Sequence, residues 1–390
     1  MPTSVGKLGS KKMQFSKFLR QLVAPHNWVP FAAALSVAVA FGSAAVAGDR
    51  DDDVVRVMTR NIYQGTDLTP LLLATPAQLP GAAATAYTNI LVNTNPAERM
   101  SAIAREIVKN KIDLVGLQEV FILRNGPLQA PTSPTFLPAT NVVVDSLQLL
   151  LGELAKRGER YDVVAIVPGL DAELPTVSPP LVIDARLTVR DMILVRSRSE
   201  LKLSNVQVQG FLRNRSFPSG SGVTIPNPRG WASVDVEKKG RKFRFVVTHL
   251  EQPDPTQRPQ AHDMINGAGN TTLPVVFVGD FNVRADAPAD PTHAVYQQFI
   301  ADGFVDAWAH KRPSDPGFTF GQSPDLLNPV SLLSQRIDLV LFRGAFQVAD
   351  IALVGDEEND RTPSGLWPSD HAGVVAALKI PKTHVASSGH

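Results

Sequence analysis

Six short polar clusters, most of them flush against an apolar run, hold the residue types that chemistry needs. Arg60-Asn61 closes the run 54–59, Gln118-Glu119 follows 113–117, and His249 ends 245–248. Asp280 and Asn282 lie in Gly279-Asp280-Phe281-Asn282 after 275–278, Asp338 lies in Arg336-Ile337-Asp338, and Ser369-Asp370-His371 precedes 372–378. Carboxylates with a carboxamide suit a hard cation such as Mg2+, with Mn2+ or Ca2+ as alternatives, because such ions take oxygen ligands. Two histidines alongside supply proton transfer or stabilise charge on a phosphate oxygen. Together these are the parts of metal-assisted phosphoryl transfer: an activated water, a clamp on the non-bridging oxygens, and help for the leaving group.

Singly, each residue has a plainer explanation. An Asn after a strand is usually a turn residue, and Arg336 with Asp338 reads equally as a structural ion pair. The pattern gains weight from the elements behind it. Residues 54–59, 112–115, 161–167, 274–278, 337–342 and 372–378 read as strands, whereas 96–110 and 145–156 have helical spacing. Residues 230–236 and 243–249 form a hairpin around Lys238-Lys239-Gly240. Alternating strands and helices place polar residues at strand ends, where layered α/β proteins assemble their sites. Residues 125–140, 168–180 and 217–228 are rich in Pro, Ser and Gly and read as loops.

In this order the clusters resemble the endonuclease/exonuclease/phosphatase superfamily, which includes pancreatic-type deoxyribonucleases, abasic-site endonucleases, neutral sphingomyelinases and inositol-polyphosphate 5-phosphatases. The resemblance runs from about Val54 to Leu378. It implies an α/β, four-layer sandwich, with two mixed β-sheets packed face to face and helices outside. It implies that Glu119, Asn61 and Asp370 belong to the metal side, that Asp280 aligns or deprotonates the attacking water, and that Asn282 contacts the phosphate. It also implies that His371, oriented by Asp338, bonds a non-bridging oxygen or moves a proton, with His249 as a second histidine. Arg190, in Arg190-Asp191 ahead of 192–195, resembles a phosphate-contacting Arg; an ordinary strand-edge charge is the alternative. An orienting partner for His249 is not evident, Asp171 and Glu173 being the available candidates.

Residues 1–47 stand apart. Lys7, Lys11, Lys12, Lys17 and Arg20 lead into the apolar run 31–46, which ends in Ala45-Val46-Ala47. That is the pattern of a cleaved export signal, and it predicts a secreted or periplasmic protein with one catalytic domain over 48–390. Without the segment, 33 basic face 37 acidic side chains, so there is no global attraction to nucleic acid or anionic membrane. The absence of Cys excludes disulfides and Cys-ligated zinc or iron–sulfur sites.

The expected substrate is a phosphoester, with a nuclease favoured by the His249 and Arg190 matches. A sphingomyelinase-like lipid phosphodiesterase is the alternative, touching a bilayer through 211–225 with Phe211, Leu212, Phe217 and Val223. A phosphomonoesterase acting on inositol or sugar phosphates is the third reading. No feature points to a protein partner.

Overall fold

The computed structural model describes residues 53–129, 137–218, 224–253 and 255–382, so the expected export segment lies outside the described residues. In chain order the strands are β1 (Val54–Asn61), β2 (Leu114–Pro127), β3 (Asn141–Asp145), β4 (Tyr161–Ser178), β5 (Leu181–Arg196), β6 (Lys202–Gly210), β7 (Arg215–Pro218) and β8 (Thr224–Asn227). They continue with β9 (Gly230–Lys238), β10 (Arg241–His249), β11 (Val275–Asp280), β12 (Val305–Asp306), β13 (Asp338–Arg343), β14 (Gln347–Val354) and β15 (Gly373–Lys379). The helices are α1 (Thr69–Leu73), α2 (Leu79–Thr88), α3 (Pro96–Lys109), α4 (Ser146–Lys156), α5 (Gln257–Asn266), α6 (His293–Ala301) and α7 (Ala307–Lys311).

Two large sheets form. One has the order β14-β15-β1-β2-β5-β4, with β3 on β2; the other has the order β12-β13-β11-β10-β9-β6. Both are mixed, since β1–β2 and β10–β11 are parallel and their other partners antiparallel. Side-chain alternation then builds the layers. In β1, Val55 and Val57 face the second sheet, meeting Val247, Val278 and Val340, whereas Met58 faces α3 and α4. In β11, Val276 and Val278 join that central core, and Val275 and Phe277 pack under α5 and α6. The result is helix, sheet, sheet, helix, as the resemblance implies. The sheets approach so closely at Gly116 that a Cβ there would lie 2.5 Å from Val278 Cγ2.

The helices start where the sequence caps them. The Asn95 side chain accepts from Glu98 N ahead of Pro96, and Asp145 accepts from Leu147 N and Gln148 N.

Three local expectations change. Residues 168–178 are no loop: β4 runs to Ser178 and pairs with β5, Pro168 opposite Arg190 and Pro175 opposite Asp184, with a bulge between Pro168 and Asp171. β4 lies at the sheet's edge, where a missing N–H leaves no ladder bond unmade. Within 217–228, Phe217 and Ile225 face each other across the β7–β8 hairpin. Ile225 and Phe211 are buried, while Leu212 is exposed and Val223 lies outside the described residues. Phe211 and Ile225 therefore face protein rather than a bilayer. Among the described residues no helix is long and apolar enough to cross a membrane.

Candidate active site

Strand direction explains how residues far apart in the chain meet. β1, β10 and β11 end at one edge, delivering Asn61, His249 and Asp280. β13 and β15 run antiparallel to β11 and β1, so their beginnings reach the same edge with Asp338 and Asp370-His371. In register, Asp280 lies opposite His249 on one side and Asp338 on the other. Gly279 is required there, because a Cβ would sit 2.2 Å from the Thr248 carbonyl oxygen.

Glu119 arrives differently. It does not follow a strand end but sits within β2, at a bulge between Leu117 and Val120 opposite β5. Its φ of 60° is left-handed, an unusual conformation for Glu. The extra residues re-aim the side chain toward the strand-end edge. Tyr63 and Asn282 share this backbone region, with φ of 58° and 52°. Uncommon backbone in three residues around one site fits a constellation held by its surroundings.

Hydrogen bonds fix the centre. Asn61 Nδ2 donates to Glu119 Oε1 and to Asp280 Oδ2, both at 3.1 Å, and its side-chain oxygen accepts from Tyr63 N. Asp280 Oδ1 accepts from Asn282 N at 2.9 Å, while Asn282 Nδ2 donates to the Leu250 carbonyl. His371 Nδ1 lies 2.8 Å from Asp338 Oδ2, and its Nε2 lies 3.8 Å from Asp280 Oδ2 and 3.9 Å from Asp370 Oδ1. His249 Nε2 lies 3.3 Å from Asp280 Oδ2. One carboxylate oxygen of Asp280 thus faces two imidazoles and an amide.

The carboxylate that faces His249 is Asp191, although His249 Nδ1 is buried without a hydrogen-bond partner. Asp191 Oδ1 lies 3.5 Å from His249 Nδ1 and accepts from Glu119 N at 3.2 Å. The candidates Asp171 and Glu173 are committed elsewhere, to Arg186 and to Ala139 N. Arg190, the neighbour of Asp191, lines the same cavity. Its Nε and Nη2 are buried without hydrogen-bond partners, and Asp145, 3.8 Å away, is only a loose counter-ion. Burial accordingly lowers its pKa. Arg336 pairs with Asp306 rather than with Asp338, leaving Asp338 to the imidazole. Two further buried arginines hold the edge in place. Arg60 donates to the His371 carbonyl and pairs with Glu106, and Arg99 donates to the carbonyls of Ile62, Tyr63 and Pro368.

Electrostatics separate two sub-sites. At His371, burial opposes charge, but the carboxylates of Asp338 and Asp370 outweigh it and push the imidazole up to about 10. Burial raises Asp338 despite the nearby imidazole. Asp370 is pushed up to about 7 by burial, with His371 opposing and the Glu119 charge adding to the rise. Asp280, Asp338 and His371 bring ligand atoms within 4.8 Å of one another; Asp338 Oδ2 is committed to His371 Nδ1, while Asp338 Oδ1 is buried without a hydrogen-bond partner. Glu119 and Asp370 instead present hard oxygens, and the Glu119 charge opposes ionisation of Asp370, which a divalent cation would relieve. The donor set therefore fits a hard divalent ion on the Glu119–Asp370 side.

The sequence matches the Endonuclease/Exonuclease/phosphatase family over residues 86–371. No curated protein matches the chain. Among solved structures, an endonuclease/exonuclease/phosphatase family protein from Leptotrichia buccalis C-1013-b superposes with a TM-score of 0.53 at 15% identity, covering 84% of this chain and 100% of that one. An endonuclease/exonuclease/phosphatase from Beutenbergia cavernae DSM 12333 gives 0.50 at 22% identity, covering 84% and 72%.

Proposed function

The chain belongs to the endonuclease/exonuclease/phosphatase family, whose members are metal-dependent phosphoester hydrolases, and from that premise we propose that it cleaves phosphodiesters, with Mg2+ as the working ion. The observation that carries the reading is the convergence of Asn61, His249 and His371 on Asp280 Oδ2.

In this mechanism Glu119 and Asp370 would hold the ion, which when bound would polarise the phosphoryl group and offset its charge. Asn61 acts on the carboxylates, keeping Glu119 and Asp280 in place through its amide. Asp280 accepts a proton from water as the water oxygen bonds to phosphorus and the ester P–O bond breaks. The products are a phosphomonoester and an alcohol, whose oxygen must gain a proton. His371, held charged by Asp338, donates to one non-bridging oxygen, and Asn282 and Arg190 contact the other. His249 is placed to move the proton, oriented by Asp191. Two imidazoles, each facing a carboxylate, can supply the proton that the leaving alkoxide needs.

Incubation of the full catalytic chain with bis(p-nitrophenyl) phosphate, Mg2+ and then excess EDTA tests this reading. Hydrolysis is expected with the ion, to be lost with chelator and restored by added Mg2+. Turnover that survives EDTA would refute it. Asp191→Asn preserves the acceptor for Glu119 N and removes the charge facing His249. It is expected to lower kcat about 10–100-fold with KM little changed; an unaltered kcat would show that His249 needs no such partner.

Export is part of the same proposal, supported by the basic lead and apolar run of residues 1–47. N-terminal sequencing of protein recovered from outside the cytoplasm tests it, and a retained Met1 would argue against cleavage. A nuclease is the reading that His249 and Arg190 favour within the family pattern. The surroundings of the site favour a different ester group.

A further inference from the structure

The catalytic residues open into a cavity of about 440 Å3, within the range of roughly 300–1,000 Å3 that encloses a small organic ligand. Most of its wall has no part in the chemistry. β4 contributes Leu170, Ala172 and Leu174, and β5 contributes Ala185, Leu187 and Val189, each set at every second residue and so on one face. The opposite face of this ribbon is polar, carrying the Asp171–Arg186 ion pair and Thr188. Leu71 of α1 and Ala83 and Ala86 of α2, with Ile225 of β8, close the apolar side.

This lining differs from a closed core. Leu170, Ala172, Leu174, Ala185 and Leu187 remain partly accessible although they face inward. An apolar recess open to water beside convergent polar groups is the usual form of a small-ligand site. It is also continuous with the chemistry. β5 carries the apolar face straight into Asp191, with Arg190 lining the cavity from the adjacent position, and at about 3.3 Å per residue the stretch from Ala185 to Asp191 spans roughly 20 Å. Arg190 sits at the junction with unpartnered guanidinium nitrogens. A ligand with a phosphate at one end and an apolar body at the other matches this order. The wall is mainly aliphatic, with Tyr87 and Phe217 as its aromatic exceptions away from the catalytic end. Base-stacking platforms use successive aromatics along a basic track, which this ribbon lacks.

We infer that the apolar arm between α1–α2 and the β4–β5 ribbon is a substrate subsite, and that the enzyme hydrolyses phosphodiesters in which one ester group is aliphatic. The inference rests on the phosphodiesterase reading above and adds the substrate class to it. Water adds its oxygen to phosphorus, one ester P–O bond breaks, and the leaving oxygen takes a proton.

The test is a series of p-nitrophenyl alkyl phosphates from methyl to octyl, with Mg2+. The kcat/KM of the wild-type chain is expected to rise at least about tenfold along the series. Ala172→Phe, which fills the arm, and Leu187→Thr, which makes it polar while keeping strand preference, are expected to abolish the rise yet leave the methyl ester rate within about twofold. A flat profile in the wild type would overturn the subsite while leaving the phosphodiesterase intact. So would plasmid DNA cleaved more efficiently per bond than the octyl ester. If no ester is hydrolysed, the phosphodiesterase reading falls instead, and calorimetry still decides the subsite. Octylphosphonate should bind at least about tenfold more tightly than methylphosphonate, and the two should bind alike in Ala172→Phe; equal binding in the wild type would overturn it. Monomeric dihexanoylphosphatidylcholine against palmitoyl-oleoyl-phosphatidylcholine vesicles then separates a soluble aliphatic diester from a membrane lipid as the source.

Discussion

Asp280→Asn is expected to lower kcat at least about a hundredfold, with KM and the thermal midpoint nearly unchanged. The substitution is close to isosteric, and Asn still offers an oxygen to the Asn282 N–H that Asp280 Oδ1 now accepts. What it removes is the basic oxygen that faces Asn61, His249 and His371. Loss of a base or of a charge aimed at the reacting atoms acts on the transition state more than on the bound substrate, so kcat carries the change. Steady-state kinetics on bis(p-nitrophenyl) phosphate, with circular dichroism to show that the fold is intact, measure it. A kcat within threefold of wild type in a folded variant would remove Asp280 from the mechanism.

His371→Ala is expected to cost a similar factor, and Asp338→Asn less, because Asp338 acts through the imidazole. The two belong to one unit, bonded at 2.8 Å and buried together. Their effects should therefore not add: the double variant should be no slower than His371→Ala alone. Fully additive losses would mean that Asp338 has a separate function. The pair also has a pH signature. The imidazole is raised from 6.5 to about 10 in the fold, the two carboxylates outweighing burial. A raised folded pKa stabilises the native state fully below the unfolded value, and the contribution is lost as pH rises from about 6.5 toward 10. Asp338→Asn removes one of those carboxylates and should lower the His371 pKa, as read by NMR titration of the ring protons. An unmoved titration would contradict the pairing.

Much of the centre is legible in the sequence. Gly279-Asp280-Phe281-Asn282 and Ser369-Asp370-His371 carry tight local constraints: Asn282 N donates to Asp280 Oδ1, and His371 N donates to the Ser369 hydroxyl. Chemistry and local geometry coincide there, so the residues form recognisable words. Glu119 is legible as a residue type, but its setting is not. A β-bulge is a relation between two strands, and nothing within Gln118-Glu119 announces that β5 lies opposite. Asp191 is hidden for the same reason. It is 58 residues from His249 in the chain, and only the packing of the two sheets brings them within 3.5 Å.

The apolar arm shows the same division. Prolines and a glycine give residues 168–180 the signature of a loop, because local signals report backbone preference and not the edge position that tolerates Pro168 and Pro175. The layered fold follows from the alternation and length of the apolar runs, and the residue types of the centre follow from short motifs whose members touch one another. Tertiary packing settles the rest: which carboxylate serves which histidine, how Glu119 is aimed, and that an aliphatic cavity opens from the reacting atoms. Those are contacts between segments distant in the chain, where a residue's partner depends on sheet register and crossing and leaves no trace in its immediate neighbours.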